Sequence, residues 1–461
     1  MLKKLKKSHL IIFSLFFIFI LGGLGCKGLS QEEQAAVKPV TLNYWTIYND
    51  VNTLRSFAES YKVAHPYVNI KVRQIRYEEF DNLFANALAD DVAPDIVSMS
   101  PRWINRYLGR LDPMPEGVKV ANIYTEGKFQ PKTVVTIENN MMPSLDYIRK
   151  SYVTTVVDDI IIGGRVYGLP LFMDTLAMYY NVELLDKAGV PVPPKTWDEF
   201  SSAVKKSTKY DRDGNIIQSG VALGTGENVE NSFDIISLLM MQNRITMAQG
   251  TKVTFTSGLS DREPGHPVLA TMQFYTDFAR PTKDVYSWNA KMANSLDEFA
   301  RGKSIFYFGF AYDAPRLKAR GPQIKYNIVP VPQLSAADPA NVANYWIESV
   351  VAKSEHKDEA WDFIRYITMP ERVLKYVEKT GQPSPLREQL VTQQEDPVVG
   401  PFALQAITAK NWYRGKDIIA ADQAFNDLFT NYLMPVGEGE GELKRNIGFI
   451  GNASRIIQQT M

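Results

Sequence analysis

Between residues 40 and 99 the hydrophobic pattern changes period four times, and that alternation leaves few architectures open. Val40, Leu42 and Tyr44 alternate with polar residues, the period-2 mark of a strand, and Trp45 closes it. Val51, Leu54, Phe57 and Tyr61 then fall at helical spacing, with Pro66 as the stop. Val68, Ile70 and Val72 alternate again. Phe80, Leu83, Phe84, Ala87 and Leu88 recur on one face of a helix, and Ile96-Val97-Ser98-Met99 reads as a buried strand after Pro94. Strand, helix, strand, helix, strand implies a parallel sheet with helices packed on its faces. In such sheets ligands sit outside the carboxyl ends of the strands, here 45–50 and 99–103.

The rest of the chain is less regular. Residues 114–150 carry scattered Pro and few clean periods, so no element is assigned there. Asp211-Arg212-Asp213-Gly214-Asn215 reads as a hairpin turn; its acidic spacing and glycine offset are wrong for a calcium loop. Helical patterns cover Ser232–Gln242, 268–278 and 359–368, and 436–441 alternates Gly with Glu as a loop before a terminal helix. Thr196 with Glu199 three residues on forms a capping box, which makes Trp197 a packing residue. Asp95, after Pro94, is placed to orient its loop rather than to meet a ligand.

The amino terminus reads as an address. Lys3, Lys4, Lys6 and Lys7 precede an apolar run over 10–21, and Gly22-Gly23-Leu24-Gly25 leads to the only cysteine, Cys26. A charged start, a short apolar stretch and small residues before the cut describe a bacterial secretory signal. The run is short of the ~20 apolar residues that a spanning helix prefers. A lone Cys after small residues resembles the lipobox of bacterial lipoproteins, although Gly23 stands where Leu is usual. That resemblance implies a signal at 1–25, acylation of Cys26 and a polar tether over 26–39. The protein is then expected outside the cytoplasm, held to the membrane by lipid.

Composition removes several function classes. The 461 residues are 45% hydrophobic and 22% charged, globular proportions that exclude a disordered tail or a multi-span membrane protein. Lys+Arg 51 balances Asp+Glu 51, so no basic excess exists to neutralise nucleic-acid phosphates. One Cys and four scattered His preclude an intrachain disulfide and argue against a metal centre; no cofactor is expected. Aromatic residues reach 11%, more than a core strictly needs.

The most specific stretch is 164–200. Gly164-Arg165-Val166-Tyr167-Gly168-Leu169-Pro170 leads through Asp174-Thr175-Leu176-Ala177-Met178-Tyr179-Tyr180-Asn181 to Pro193-Pro194-Lys195-Thr196-Trp197. This block resembles the family-1 extracellular solute-binding proteins of ABC importers, the group that includes maltose-binding protein. Ala93-Pro94-Asp95-Ile96-Val97 lies upstream in the right order, and Phe299-Ala300-Arg301-Gly302-Lys303 and Ala360-Trp361-Asp362-Phe363-Ile364 downstream. The resemblance implies an α/β, two-lobe periplasmic-binding-protein (Venus flytrap) fold. Each lobe would be a mainly parallel sheet flanked by helices, with a multi-segment hinge between them. The implied division is 40–172 with 309–347 for lobe one, and 173–308 with 348–461 for lobe two. Crossovers are expected near 170–173, 307–309 and 347–351. The implied partners are a small carbohydrate ligand and a transmembrane permease, with a monomeric chain.

A sugar presents apolar C–H faces and a rim of hydroxyls, so its site needs flat aromatic surface and polar groups at the edge. Candidates at strand ends and crossovers are Trp45, Tyr48, Trp103, Tyr286, Trp288, Phe310, Tyr312, Tyr345, Trp346 and Trp412. Polar candidates are Asn49, Asp50 and Arg102 on the first lobe, with Asp174 at the first crossover. There the resemblance implies an acidic ligand contact. Two rival classes remain: a secreted glycoside hydrolase using a carboxylate pair, and a structural surface lipoprotein. No G-x-S-x-G elbow, H-E-x-x-H or Cys/His pair is present.

Overall fold

The computed structural model describes residues 30–129, 131–437 and 441–461. The expected signal, Cys26 and the start of the tether lie outside the described residues. Within the tether span, Gln31–Ala36 is helical, with Ser30 and Glu33 forming a capping box, and Ala36 and Val37 pack on the core.

The alternation at 40–99 becomes strands Val40–Thr46, Val68–Gln74 and Ile96–Met99, separated by helices Val51–Lys62 and Tyr77–Ala89. The first strand sits between the other two and is parallel to both. Leu54, Phe57 and Tyr61, at helical spacing, are buried, as are Phe80 and Phe84 on the second helix. Asp95 orients its loop as expected: its carboxylate accepts from the Asn43 N–H at 2.8 Å and the Ser354 hydroxyl at 2.6 Å.

A second sheet runs in the order Lys209–Tyr210, Ile216–Val221, Ser304–Gly309, Ala177–Asn181, Tyr326–Pro330. Two lobes result, as the resemblance implied, but the sheets are more mixed than expected. Ile347–Val351 enters the first sheet antiparallel to Ile96–Met99, and in the second only Ile216–Val221 with Ser304–Gly309 is parallel.

The expected lobe boundaries after residue 308 do not follow the sheets. Ser304–Gly309 is buried along its whole length in the second sheet, so no crossover occurs at 307–309. The chain turns back through helix Asp313–Arg320 into Tyr326–Pro330 and joins the first sheet only at Ile347. Helix Lys357–Ile367 then stays with the first lobe, where Asp362 accepts from the Tyr61 hydroxyl at 2.8 Å. Between the sheets, Asp174–Thr175 pairs with Asn341–Asn344, which pairs in turn with Ala409–Lys410. Three segments therefore pass through the waist.

Gly117–Glu126 pairs antiparallel with Lys132–Met141 in continuous register, a long hairpin. Only part of its length is covered by the core, so its burial never settles into the alternation that a sequence reading depends on. The capping box at Thr196 and Glu199 is present, and Trp197 is buried with its Nε1 donating to Gln242 at 2.7 Å.

Candidate functional site

Both lobes turn their strand ends toward one cleft of about 690 Å³. On the first lobe Tyr48 follows Val40–Thr46, Ser100 and Arg102 follow Ile96–Met99, and Tyr77 and Glu78 open the helix after Val68–Gln74. Ile347 is paired with Met99, so the antiparallel strand begins at this same edge and brings Asn344 and Trp346 to it. On the second lobe residues 226–234 follow Ile216–Val221, and Tyr312 and Arg316 follow Ser304–Gly309. Asp422 and Asn426, one turn apart on helix Ile418–Leu433, complete the wall. Gly226 is required by close approach, since a Cβ there would lie 2.1 Å from Asn426 Oδ1.

The aromatic surface is continuous. Tyr48 stacks on Tyr312 with centroids 5.3 Å apart and leans on Trp346 at 4.5 Å; Tyr77 lies 6.1 Å away on its other side. Behind Tyr77 stand Trp103 and Phe80, each ring 5.1 Å from the next, and behind Tyr312 stands Phe310 at 5.4 Å. Tyr48 is 36% exposed, whereas Trp346 is 3% exposed and its Nε1–H has no hydrogen-bond partner. A buried donor left unpaired costs free energy that an acceptor on a ligand recovers.

Charge is arranged around these rings. Arg102 of the first lobe pairs with Asp234 of the second, donates to Asn411 at 3.3 Å and covers the Phe233 ring at 5.5 Å, so the lobes touch across the cleft. Arg316 is held by Asp313 at 2.5 Å and Glu230 at 2.7 Å. Burial, helped by the charge of Asp234, pushes Asp422 up to about 6. Burial likewise lifts the Tyr48 hydroxyl to about 12. No cluster of His, Cys, Asp and Glu among the described residues is arranged to hold a metal ion.

Of the residues expected at the site, Tyr48, Arg102, Tyr312 and Trp346 line the cleft. The others do not. Trp45 lies under Arg73 and packs on the first-lobe core. Asn49 is buried and donates to Glu348 at 2.7 Å, while Asp50 caps helix Val51–Lys62. Asp174 is fully buried, accepts from the Thr175 and Tyr312 N–H groups, and burial pushes it up to about 8; it secures the waist rather than the ligand. Trp288 is fully buried in the second-lobe core with Nε1 on Asn228. Tyr286 stacks on Tyr210 away from the cleft, and Tyr345 is tied to Asp159 at 2.8 Å. Phe310 backs Tyr312 without reaching the space. Trp412 stacks on Phe233 at 5.6 Å and lines a separate pocket of about 460 Å³. The sequence reading missed Tyr77 and Glu78, although the end of the second parallel strand marked them, and also Asp422 and Asn426, which carried no local signal.

Comparison with known proteins agrees with this geometry. The family described as bacterial extracellular solute-binding protein matches residues 56–398. The multiple sugar-binding protein of Streptococcus mutans serotype c is 22% identical over 88% of this chain and 89% of its own length. The maltotriose-binding protein of Pyrococcus abyssi is 21% identical over 81% and 72%. Among solved structures, a solute-binding protein of Thermotoga lettingae bound with alpha-D-tagatose superposes with a TM-score of 0.66 at 19% identity, over 91% of this chain and 99% of that one. The cyclic alpha-maltosyl-1,6-maltose binding protein of Arthrobacter globiformis gives a TM-score of 0.67 at 17% identity, over 91% and 100%. With its two lobes, its strand-end cleft and most of its length matched, the chain belongs to the bacterial extracellular solute-binding proteins.

Proposed function

We propose that this protein captures a carbohydrate in the cleft and delivers it to an ABC importer, without chemistry of its own. The observation that carries this reading is the wall of Tyr48, Tyr77, Tyr312 and Trp346 along the cleft. Flat rings suit the C–H faces of a sugar, and Asp422, Asn426 and Asn231 supply acceptors and donors for its hydroxyls. The names of the sugar-binding relatives support the same ligand class. Ligand touching both lobes favours the shut arrangement, which is the form a permease would receive. A thermal-shift panel of mono- and oligosaccharides tests this. A ligand at 100 times its Kd should add about 2.7 kcal/mol of stability, and the saccharide should be recovered intact. No shift with any saccharide would leave the structural-lipoprotein reading, and turnover would favour the hydrolase.

The anchor is part of the same proposal. The pattern before Cys26 supports lipid attachment there, and no helix among the described residues is long and apolar enough to cross a membrane. Cys26→Ser should abolish incorporation of labelled fatty acid and release the protein from the membrane fraction. Persistent labelling of that variant would count against the anchor.

A further inference from the structure

Five carboxylates line the cleft, Glu78, Glu227, Glu230, Asp234 and Asp422, against two guanidiniums. Both guanidiniums are already matched: Arg102 by Asp234, Arg316 by Glu230 and by Asp313 behind it. Among the described residues lining the cavity there is no other cation, so Glu78, Glu227 and Asp422 remain without an ion-pair partner. Glu78 and Glu227 stand at the exposed rim. Asp422 is only partly exposed, faces Asp234 and Arg102, and shares its helix face with Asn426. Trp346 lines the same cavity, and its Nε1–H is buried and without a hydrogen-bond partner.

We propose that this cleft sorts saccharides by charge, rejecting those that carry carboxylate or phosphate groups, and that Asp422 is the specificity-determining side chain. The inference rests on the carbohydrate reading above. An ionised carboxylate accepts hydrogen bonds from sugar hydroxyls, which leaves a neutral ligand welcome. A second anion brought beside Asp422 meets like charge in a partly desolvated site where screening is weak, and no free guanidinium or ammonium offsets it. A protonated amine gains in the same field.

The test is titration calorimetry at pH 7.5 and low salt with maltotriose, mannotriose and galactotriose. Each is compared with its form oxidised at C6 to the uronate and its form carrying a C2 amine. Expected is at least tenfold weaker binding of the uronate than of its neutral parent, with the amine binding at least as well as the parent. The uronate penalty should shrink as salt is raised. In Asp422→Asn, with an unchanged melting temperature, neutral binding should weaken through loss of the charged acceptor, while the ratio of neutral to uronate affinity should fall severalfold. Equal binding of neutral and uronate forms overturns the charge sorting, and an undiminished penalty in Asp422→Asn overturns the role given to that residue. Binding of no saccharide at all would instead remove the carbohydrate reading beneath it.

Discussion

Glu348→Ala should cost the protein about 3 kcal/mol or more, because it orphans a group of buried polar atoms at one stroke. Glu348 is fully buried on Ile347–Val351 and accepts from the Tyr44 hydroxyl, from Asn49 Nδ2 at 2.7 Å and from the Ser98 hydroxyl at 3.3 Å. These groups come from three adjacent strands or the loops just beyond them. They lie two residues from Trp346 and one from Tyr48, so they hold the floor on which the cleft aromatics stand. Burial pushes the Glu348 carboxyl up to about 7. A carboxyl raised above its unfolded value supports the fold while it is protonated. Its contribution is lost as pH rises from about 4.5 through about 7. Glu348→Gln keeps the shape: the amide oxygen still accepts from Asn49 and Ser98, and the Tyr44 hydroxyl can turn to accept from the new N–H. It should match the parent protein near pH 5 and exceed it by up to about 3 kcal/mol at pH 8, the free-energy equivalent of that shift. Denaturant unfolding at the two pH values measures both. A Gln variant equally destabilised at both would mean that geometry, not charge, dominates the network.

Tyr48→Ala should weaken saccharide binding by ~10–100-fold, about 1.4–2.7 kcal/mol. The ring touches both Tyr312 of the second lobe and Trp346, and its partial exposure offers a face to the ligand. The same exposure limits the damage to the free protein, whose melting temperature should move little. Trp346→Phe keeps a ring in the buried slot and removes the donor together with part of the indole bicycle. The loss should then be at least that of one ligand hydrogen bond, about 1 kcal/mol or somewhat more. Calorimetric titration of both variants with the same saccharide separates stacking from hydrogen bonding. Tyr48→Ala binding as tightly as the parent would remove the aromatic wall from the site.

The sequence carried the frame of this site further than its lining. Period changes at 40–99 located three strands and their carboxyl ends, and two of those ends do supply Tyr48 and Arg102. What period cannot give is the direction of a side chain once the strand has ended. Trp288 and Tyr286 follow a helix and sit among polar residues, as a rim residue would, yet Trp288 is drawn into the core and Tyr286 onto Tyr210. Asp174 stands at the first passage through the waist, as expected, but backbone N–H groups on both sides claim its oxygens. Asp422 was invisible for the opposite reason. Nothing in its helix distinguishes it until the fold sets it opposite Arg102, more than three hundred residues earlier in the chain.

A crystal structure of the protein with the saccharide that gives the largest thermal shift tests the central claim most directly. The expected result is a sugar ring against Tyr48 and Trp346 in the cleft, with one of its oxygens accepting from Trp346 Nε1–H and residues of both lobes in contact. A saccharide bound outside this cleft, or one held by a single lobe with Trp346 Nε1 still unpaired, would contradict it.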